Sequence, residues 1–362
     1  MNKCTLLIDG NWILQSRVSV LFDKFEIQNP LPVKQAAADE LKEMIARSIH
    51  LILNRFQCID NIILVSDGGS WRKQLPIPNS ISTTIYKGNR QSDKEYDWDL
   101  IFKTFNKFVK HCKDIGITCT QYFNVEGDDW IWYWSRRLNS QGVHCIIWSV
   151  DNDLKQLVQK ENETGAWTVW YNDKNGLWIN DVLKEQEVSD IDFFMAPPQY
   201  HSVILENLKS HSKSTVNYIN PDDIILSKII CGDSGDNIKS VFRYMKNGRM
   251  YRVSEKEWDK ISKEYNISSI NGLLNYIPET AAAIANHKKY KTFNPSTSDI
   301  EEMINYNIKL VWLNENVIPD TLVAAMNQQE YKQYDISYIR SNFKVLLDTN
   351  DEDYVKQLFG EF

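Results

Sequence analysis

Carboxylates stand just past one apolar run after another along this chain. TLLID ends in Asp9, IILVSD ends in Asp67, QYFNVEGDD leads into Glu126, Asp128 and Asp129, and CIIWSVDND ends in Asp151 and Asp153. CGDSGDN adds Asp233 and Asp236 further along. Any one of these has a bland reading as a helix cap or a turn residue, and Asp128 and Asp129 suit a helix N-terminus. Asp222 and Asp223, after Pro221, are read as no more than that. The set is different, because nine carboxylates aimed at one face repel one another severely unless cations neutralise them. Oxygen-only donors suit hard divalent ions, Mg²⁺ or Mn²⁺. A pair of such ions roughly 4 Å apart can clamp the attacking and leaving oxygens of a phosphodiester during in-line hydrolysis.

Basic residues follow the acidic ones. SWRKQ puts Arg72 and Lys73 just past Asp67, and YKGNR puts Lys87 and Arg90 just past the next strand-like run. Lys239, Arg243, Lys246, Arg249 and Arg252 crowd the segment after GDSGDN. Singly, each reads as part of a solvated face. Placed directly after acidic loops, they point to phosphate contacts and to a nucleic-acid polyanion. The net charge of −7 argues the other way on its face. With the nine carboxylates set aside, 39 acidic residues face 41 basic ones, and the objection disappears.

The elements that must position these side chains alternate up to about residue 180. Strand-like TLLID (5–9) is followed by helical periodicity over 34–56, the run NIILVSD (61–67), STTIYK (82–87) and an amphipathic helix at about 97–112. ITCTQYF (117–123), a helix from Asp128, HCIIWSV (144–150), a short helix DLKQLVQK and two strands around NDKNG complete the series. Alternation of this kind predicts an α/β fold with a mostly parallel central sheet and flanking helices, whose ligand site lies beyond the carboxyl ends of the strands. After about residue 185 the strands stop and the pattern is helical. The expected division is therefore a catalytic α/β core over 1–185 and an all-helical region over 186–362, packed as one body.

Composition narrows the function classes. The chain of 362 residues is 43% hydrophobic and 12% aromatic, which excludes disorder as the main state. Its most apolar stretches fall far short of the ~20 residues that cross a bilayer, and MNKCTLLIDGNW reaches an Asp too early for a signal peptide. Six cysteines without a CxxC pair and six histidines without HExxH argue against a His/Cys metal site, and suit buried free thiols in a reducing cytoplasm.

Six motifs in order, LLIDGNW, VSDGGSWRK, YKGNR, VEGDDW, WSVDNDL and CGDSGDN, resemble the 5′-nuclease (flap endonuclease) family over about residues 5–240. IPETAAAIANH and NENVIPDTL add a fainter similarity to its stand-alone phage 5′-3′ exonucleases and T-even phage ribonuclease H type. The resemblance implies a PIN-like nuclease core. It also implies cleavage of phosphodiesters from the 5′ side of branched, nicked or RNA-primed duplex DNA in phage-type replication or repair, within the host cytoplasm if phage-encoded. A single-stranded-DNA-binding protein or another replication protein would be the partner. By motif, Asp9, Asp67, Glu126, Asp128 and Asp151 would serve a first Mg²⁺ or Mn²⁺, and Asp129, Asp153, Asp233 and Asp236 would surround a second. Lys87 would stabilise charge on the scissile phosphate, Arg72 or Arg90 would hold its neighbour, and Lys73, Lys239, Arg243, Lys246 and Arg249 would contact nucleic acid. The duplex-binding segment is expected at about 221–255. The family's glycine-rich G-I-G turn, which often holds a potassium ion, is absent after GDSGDN, where IKSVFRYMKNGRMY follows. K⁺ is therefore not assigned to this segment.

Rival readings are weaker. An Asp-nucleophile phosphatase needs a second Asp two residues after the first, and Asp9 is followed by Gly10 and Asn11. A catalytically silent DNA-binding scaffold of the same fold would be expected to have lost some carboxylates, and none is visibly missing. GDSGD resembles a serine-protease loop only by coincidence, in a chain with no disulfide framework. Trp130 and Trp134, four apart on one helix, predict core packing rather than base stacking, with Trp132 pointing elsewhere.

Overall fold

The computed structural model describes residues 4–24, 31–56, 58–78, 86–88, 96–172, 176–179, 216–333 and 335–345. They fall into two compact units. The first comprises residues 1–68, 93–219 and 326–362, and the second residues 69–92 and 220–325. The observed division thus differs from a single cut at residue 185: one short segment of the first half belongs with the helical unit, and the end of the chain returns to the sheet.

The sheet unit is built on apolar runs too short for helices and buried on both faces, as parallel strands require. Strand β1 (Cys4–Asp9) is buried along its whole length and lies between β2 (Ile59–Val65) and β4 (His144–Trp148), parallel to both. Beyond β2 lies β3 (Thr118–Thr120), and beyond β4 lies β6 (Trp167–Asn172), again parallel. The short β5 (Gln159–Lys160) and β7 (Gly176–Ile179) both pair antiparallel with β6, and β8 (Val216–Tyr218) runs parallel to β7. β8 is a strand beyond residue 185, where helix alone was expected. The spatial order β3-β2-β1-β4-β6 means that the chain leaves β1 in one direction and returns on its other side. The switch point therefore lies between β1 and β4, the place where open α/β sheets bind ligands.

Helices α1 (Gly10–Lys24), α2 (Leu31–Arg55), α3 (Trp98–Asp114) and α4 (Gly127–Ser140) connect these strands. Asp97 caps α3 by accepting from the Leu100 N–H at 3.1 Å, and its buried stripe runs through Ile101, Phe105, Phe108 and Cys112. The expected short helix after β4 is a tighter 3-10 helix, Asn152–Leu157. All three tryptophans of α4 are buried, including Trp132 at 5% exposure, so none of them offers a stacking surface. STTI of the expected strand 82–87 lies outside the described residues; Tyr86 and Lys87 occupy a turn.

The second unit is helical, with one exception. It contains α5 (Pro221–Cys231), α6 (Glu255–Glu264), α7 (Ile270–Asn275), α8 (Ile277–Asn286), α9 (Thr297–Val311) and most of α10 (Asp320–Asn327), around a core of its own that includes Ile229, Trp258, Ile284 and Ile304. Between α5 and α6 the chain forms a hairpin, β9 (Arg243–Lys246) with β10 (Arg249–Arg252), instead of a second helix. Helix α11 (Ile336–Val345) belongs to the sheet unit, where Ile339 is buried in the core.

Candidate active site

Four parallel strands deliver their carboxyl ends to one edge of the sheet, and the acidic residues follow. Asp9, the last residue of β1, is 8% exposed. Its Oδ1 accepts from the Trp12 N–H at 3.0 Å and its Oδ2 from the Ser149 hydroxyl at 2.9 Å. The capping reading is therefore partly right, since Asp9 closes the start of α1. It is incomplete, because burial and then the charges of Asp67 and Asp151 push the Asp9 pKa up to about 6 against these favourable hydrogen bonds.

Ser149 joins the two strands flanking the switch point. While donating to Asp9, its Oγ accepts from the Asp151 N–H at 3.0 Å. Asp151 in turn accepts from the Asp153 N–H at 2.9 Å, which turns the chain into the 3-10 helix. Asp67 is exposed and held from two sides: Asn11 Nδ2 donates to its Oδ2 and the Gly127 N–H to its Oδ1, each at 2.5 Å. Glu126 and Asp129 form a reciprocal capping box at the start of α4, with Asp129 wholly buried, and Asp128 lies in the same first turn at intermediate exposure. The structure thus joins Asp9, Ser149 and Asp151 directly, links Asp67 to Asp9 by charge, and engages Glu126 and Asp129 with each other.

Two glycines allow this close assembly. A Cβ on Gly10 would stand 2.4 Å from the Val65 carbonyl oxygen, and one on Gly68 would stand 1.7 Å from that of Tyr122. Gly68 is where the loop after β3 locks onto the loop after β2: its N–H donates to the Val125 carbonyl at 2.8 Å, and its own carbonyl accepts from the Asn124 N–H at 2.9 Å.

In the helical unit, the GDSGDN loop closes on itself. Asp233 and Ile238 exchange backbone hydrogen bonds at 2.9 and 2.7 Å. Burial pushes the Asp233 carboxyl up, but the Lys228 ammonium 2.6 Å away and nearby backbone N–H groups outweigh it and hold the pKa below the ordinary range. Lys87 sits on this loop. Its N–H donates to the Asp236 carbonyl at 2.9 Å, and its Nζ lies 4.0 Å from the Asp236 carboxylate. Its φ of 55° is left-handed, an uncommon backbone for a side chain of this size. Arg72 is buried, with its guanidinium 4.6 Å over the Trp71 ring, whereas Lys73 is exposed. Arg90 lies outside the described residues. Lys239 donates to Asn237 Oδ1 at 2.5 Å, and Arg243, Lys246 and Arg249 stand exposed on the hairpin rather than on a helix face.

Sequence reasoning missed Asn11 and Ser149, although both lie inside quoted motifs, LLIDGNW and WSVDNDL. The available signal was position: each is a polar residue next to an acidic strand end. Among the described residues, no three His, Cys, Asp or Glu side chains stand close enough together to hold an ion as they are.

A parallel sheet with carboxylates at its switch point and a helical region after it defines a protein of the resolvase-like nuclease class. Residues 5–190 match the family model for the 5′-3′ exonuclease N-terminal resolvase-like domain, and the chain belongs to that family. No curated protein matches the chain by sequence. Solved structures similar to it include the T5 5′-exonuclease with bound divalent metal ions (zinc), at 16% identity over 95% of this chain and 98% of that one, with a TM-score of 0.49. The bacteriophage T5 flap endonuclease in a pseudo-enzyme-product complex with DNA and metal ions is 16% identical over 96% and 100%, at 0.48. The catalytic core of Rad2 with a DNA substrate is 10% identical over 99% and 90%, at 0.37.

Proposed function

We propose that this chain is a divalent-metal-dependent 5′-nuclease that hydrolyses phosphodiesters in flapped, nicked or RNA-primed duplex DNA during replication or repair of phage type. The observation that carries the reading is the Asp9–Ser149–Asp151 group at the switch point, with Asp67 close enough to raise the Asp9 pKa. Family membership supports the direction of attack.

The donor set fits hard divalent ions, Mg²⁺ or Mn²⁺. Its donors are carboxylate oxygens, and their mutual repulsion is a cost that a cation removes. Asp9, Asp67, Glu126, Asp128 and Asp151 would hold the first ion and Asp129, Asp153, Asp233 and Asp236 the second. Such ions supply an activated water and stabilise charge on the phosphate. The chain's own contribution is orientation: Ser149 and the Trp12 N–H aim Asp9, while Asn11 and the Gly127 N–H aim Asp67. Lys87, Arg72 and Arg90 would neutralise phosphate, and Lys73 with the basic residues after GDSGDN would contact the backbone of the substrate. The site of action would be the host cytoplasm, with a single-stranded-DNA-binding or other replication protein as recruiting partner.

Cleavage of end-labelled flap, nicked and RNA·DNA duplexes with Mg²⁺, with Mn²⁺ and with excess EDTA tests this reading. Products released from the 5′ side with either ion and none in EDTA are expected. Full hydrolysis in EDTA, or no cleavage of any substrate, would refute it.

A further inference from the structure

Two aromatic side chains stand in the open on the loop that follows β3. Phe123 is 75% exposed and Tyr122 42%. A single exposed apolar residue is ordinary on a protein surface, so exposure alone decides nothing. The mounting of this pair is what sets it apart. The Val125 N–H donates to the Tyr122 carbonyl at 3.1 Å, which closes a tight turn with Phe123 and Asn124 at its corners. Asn124 has a φ of 62°, a left-handed backbone that asparagine tolerates in turns. Three further bonds brace the turn against the loop after β2. The Asn124 N–H donates to the Gly68 carbonyl at 2.9 Å, the Gly68 N–H to the Val125 carbonyl at 2.8 Å, and Gln121 Nε2 to the Asp67 carbonyl at 2.7 Å. Phe123 is thus held outward at the corner of a braced turn.

The turn lies at the edge of the sheet where the carboxylates gather. Phe123 comes three residues before Glu126, and the backbone that braces it is that of Asp67 and Gly68. β3 is the second strand from β1, whose last residue is Asp9. At about 4.8 Å between neighbouring strands, the turn stands roughly 10 Å from the end of β1. Residues Gln121 to Val125 carry no charge, so their side chains offer a phosphate no counterion. What they offer is the face of an aromatic ring, which the buried tryptophans of α4 do not.

We propose that Phe123, with Tyr122 beside it, is a stacking platform for an unpaired nucleobase of the cleaved strand, a few nucleotides from the bond that is hydrolysed. The inference rests on the nuclease reading, which places a phosphodiester at the carboxylates. Roughly 10 Å corresponds to about three nucleotides at the ~3.4 Å step of a stacked strand. Every base has a π-face, so the ring holds the strand without reading its sequence. It can do so only where a base has a free face, which a flap supplies and the interior of a continuous duplex does not. The contact releases no counterion, so its share of the affinity is independent of salt.

Fluorescence anisotropy of the full chain in EDTA tests the assignment, with a labelled flap that carries a single abasic site moved position by position across the junction, and with a blunt duplex beside it. Phe123→Ala should weaken flap binding about tenfold and leave blunt-duplex binding and the log–log salt slope unchanged. Its melting temperature should stay that of the wild type, because the side chain is exposed. Phe123→Trp should bind the flap as tightly as the wild type does. One abasic position should cost the wild type about as much as Phe123→Ala does, and should cost the Phe123→Ala chain nothing further, because both changes remove the same stack. Unchanged flap affinity in Phe123→Ala overturns the proposal and leaves a protein partner as what covers the ring. Equal losses on flap and blunt duplex, or a loss that adds to the abasic loss at every position, overturn it as well. A chain that binds the flap through Phe123 in EDTA yet releases no product in Mg²⁺ would refute the nuclease reading and leave this inference standing.

Discussion

Asp9 has two tasks that conflict, closing the start of α1 and carrying charge beside other carboxylates, and its raised pKa records the conflict. Because the folded pKa lies above the ordinary 3.8, the folded chain binds a proton more tightly than the unfolded one. Between about pH 4 and pH 6 the stability of the metal-free chain therefore falls as pH rises, and the penalty is fully present above that window. Asp9→Asn should raise the melting temperature in EDTA at about pH 8, by a stabilisation of roughly 3 kcal/mol at most, and change it little at about pH 4. Thermal denaturation at the two pH values checks this, and equal shifts at both would contradict it. Ser149 is the second test at this scale. Ser149→Ala takes the hydroxyl donor from Asp9 Oδ2, leaving only the Trp12 N–H on Oδ1, and takes the Oγ acceptor from the Asp151 N–H, so the Mg²⁺ concentration for half-maximal cleavage should rise about 10–100-fold. An unchanged Mg²⁺ dependence would show that Ser149 does not orient these ligands. The acidic residues were legible in the sequence because a carboxylate at each strand end needs an explanation. Ser149 and Asn11 were not, since a neutral polar side chain beside a strand end is ordinary loop composition.

At the scale of elements, most strands and helices of the sheet unit follow from short apolar runs alternating with 3.6-residue periodicity, but α1 and β8 were not expected and the short helix after β4 is a 3-10 helix. The helix predicted at about 97–112 spans Trp98–Asp114. The hairpin was a further unexpected element. Asn-Gly at 247–248 is a strong turn signal, but the flanking RYMK and RMYR lack an apolar alternation, and their charges read equally well as a solvated helix face. The loop contact at Gly68 was also invisible, because it depends on two segments more than fifty residues apart. Gly68→Ala forces the Tyr122 carbonyl to move and should cost about 1–3 kcal/mol or more in unfolding free energy. Urea denaturation with wild-type stability would contradict that packing.

For the whole molecule, the division into two units with interleaved segments is what no local pattern announces. The end of the chain returns to the sheet unit through single polar contacts. Asn61 Nδ2 donates to the Lys332 carbonyl at 3.1 Å, and Arg340 Nη1 donates to the Leu53 carbonyl at 2.7 Å. Ile339 is buried there. A chain ending at residue 325 should therefore melt several degrees lower than the full chain, by the loss of a buried Ile and of partners for Asn61 (roughly 2–5 kcal/mol). An unchanged melting temperature would show that the returning segment does not stabilise the sheet.

On the proposed function, carboxylates gathered at the switch point would hold the ions for phosphodiester cleavage, while the substrate is gripped elsewhere. Asp151→Asn separates the two most directly, in a time course of 5′-labelled flap cleavage in Mg²⁺ run beside an anisotropy titration of the same flap. Cleavage is expected to fall below detection while the flap binds as tightly as to the wild type, or more tightly, because one charge repelling phosphate is gone. A folded Asp151→Asn chain that cleaves at the wild-type rate, or that loses binding together with cleavage, would contradict it.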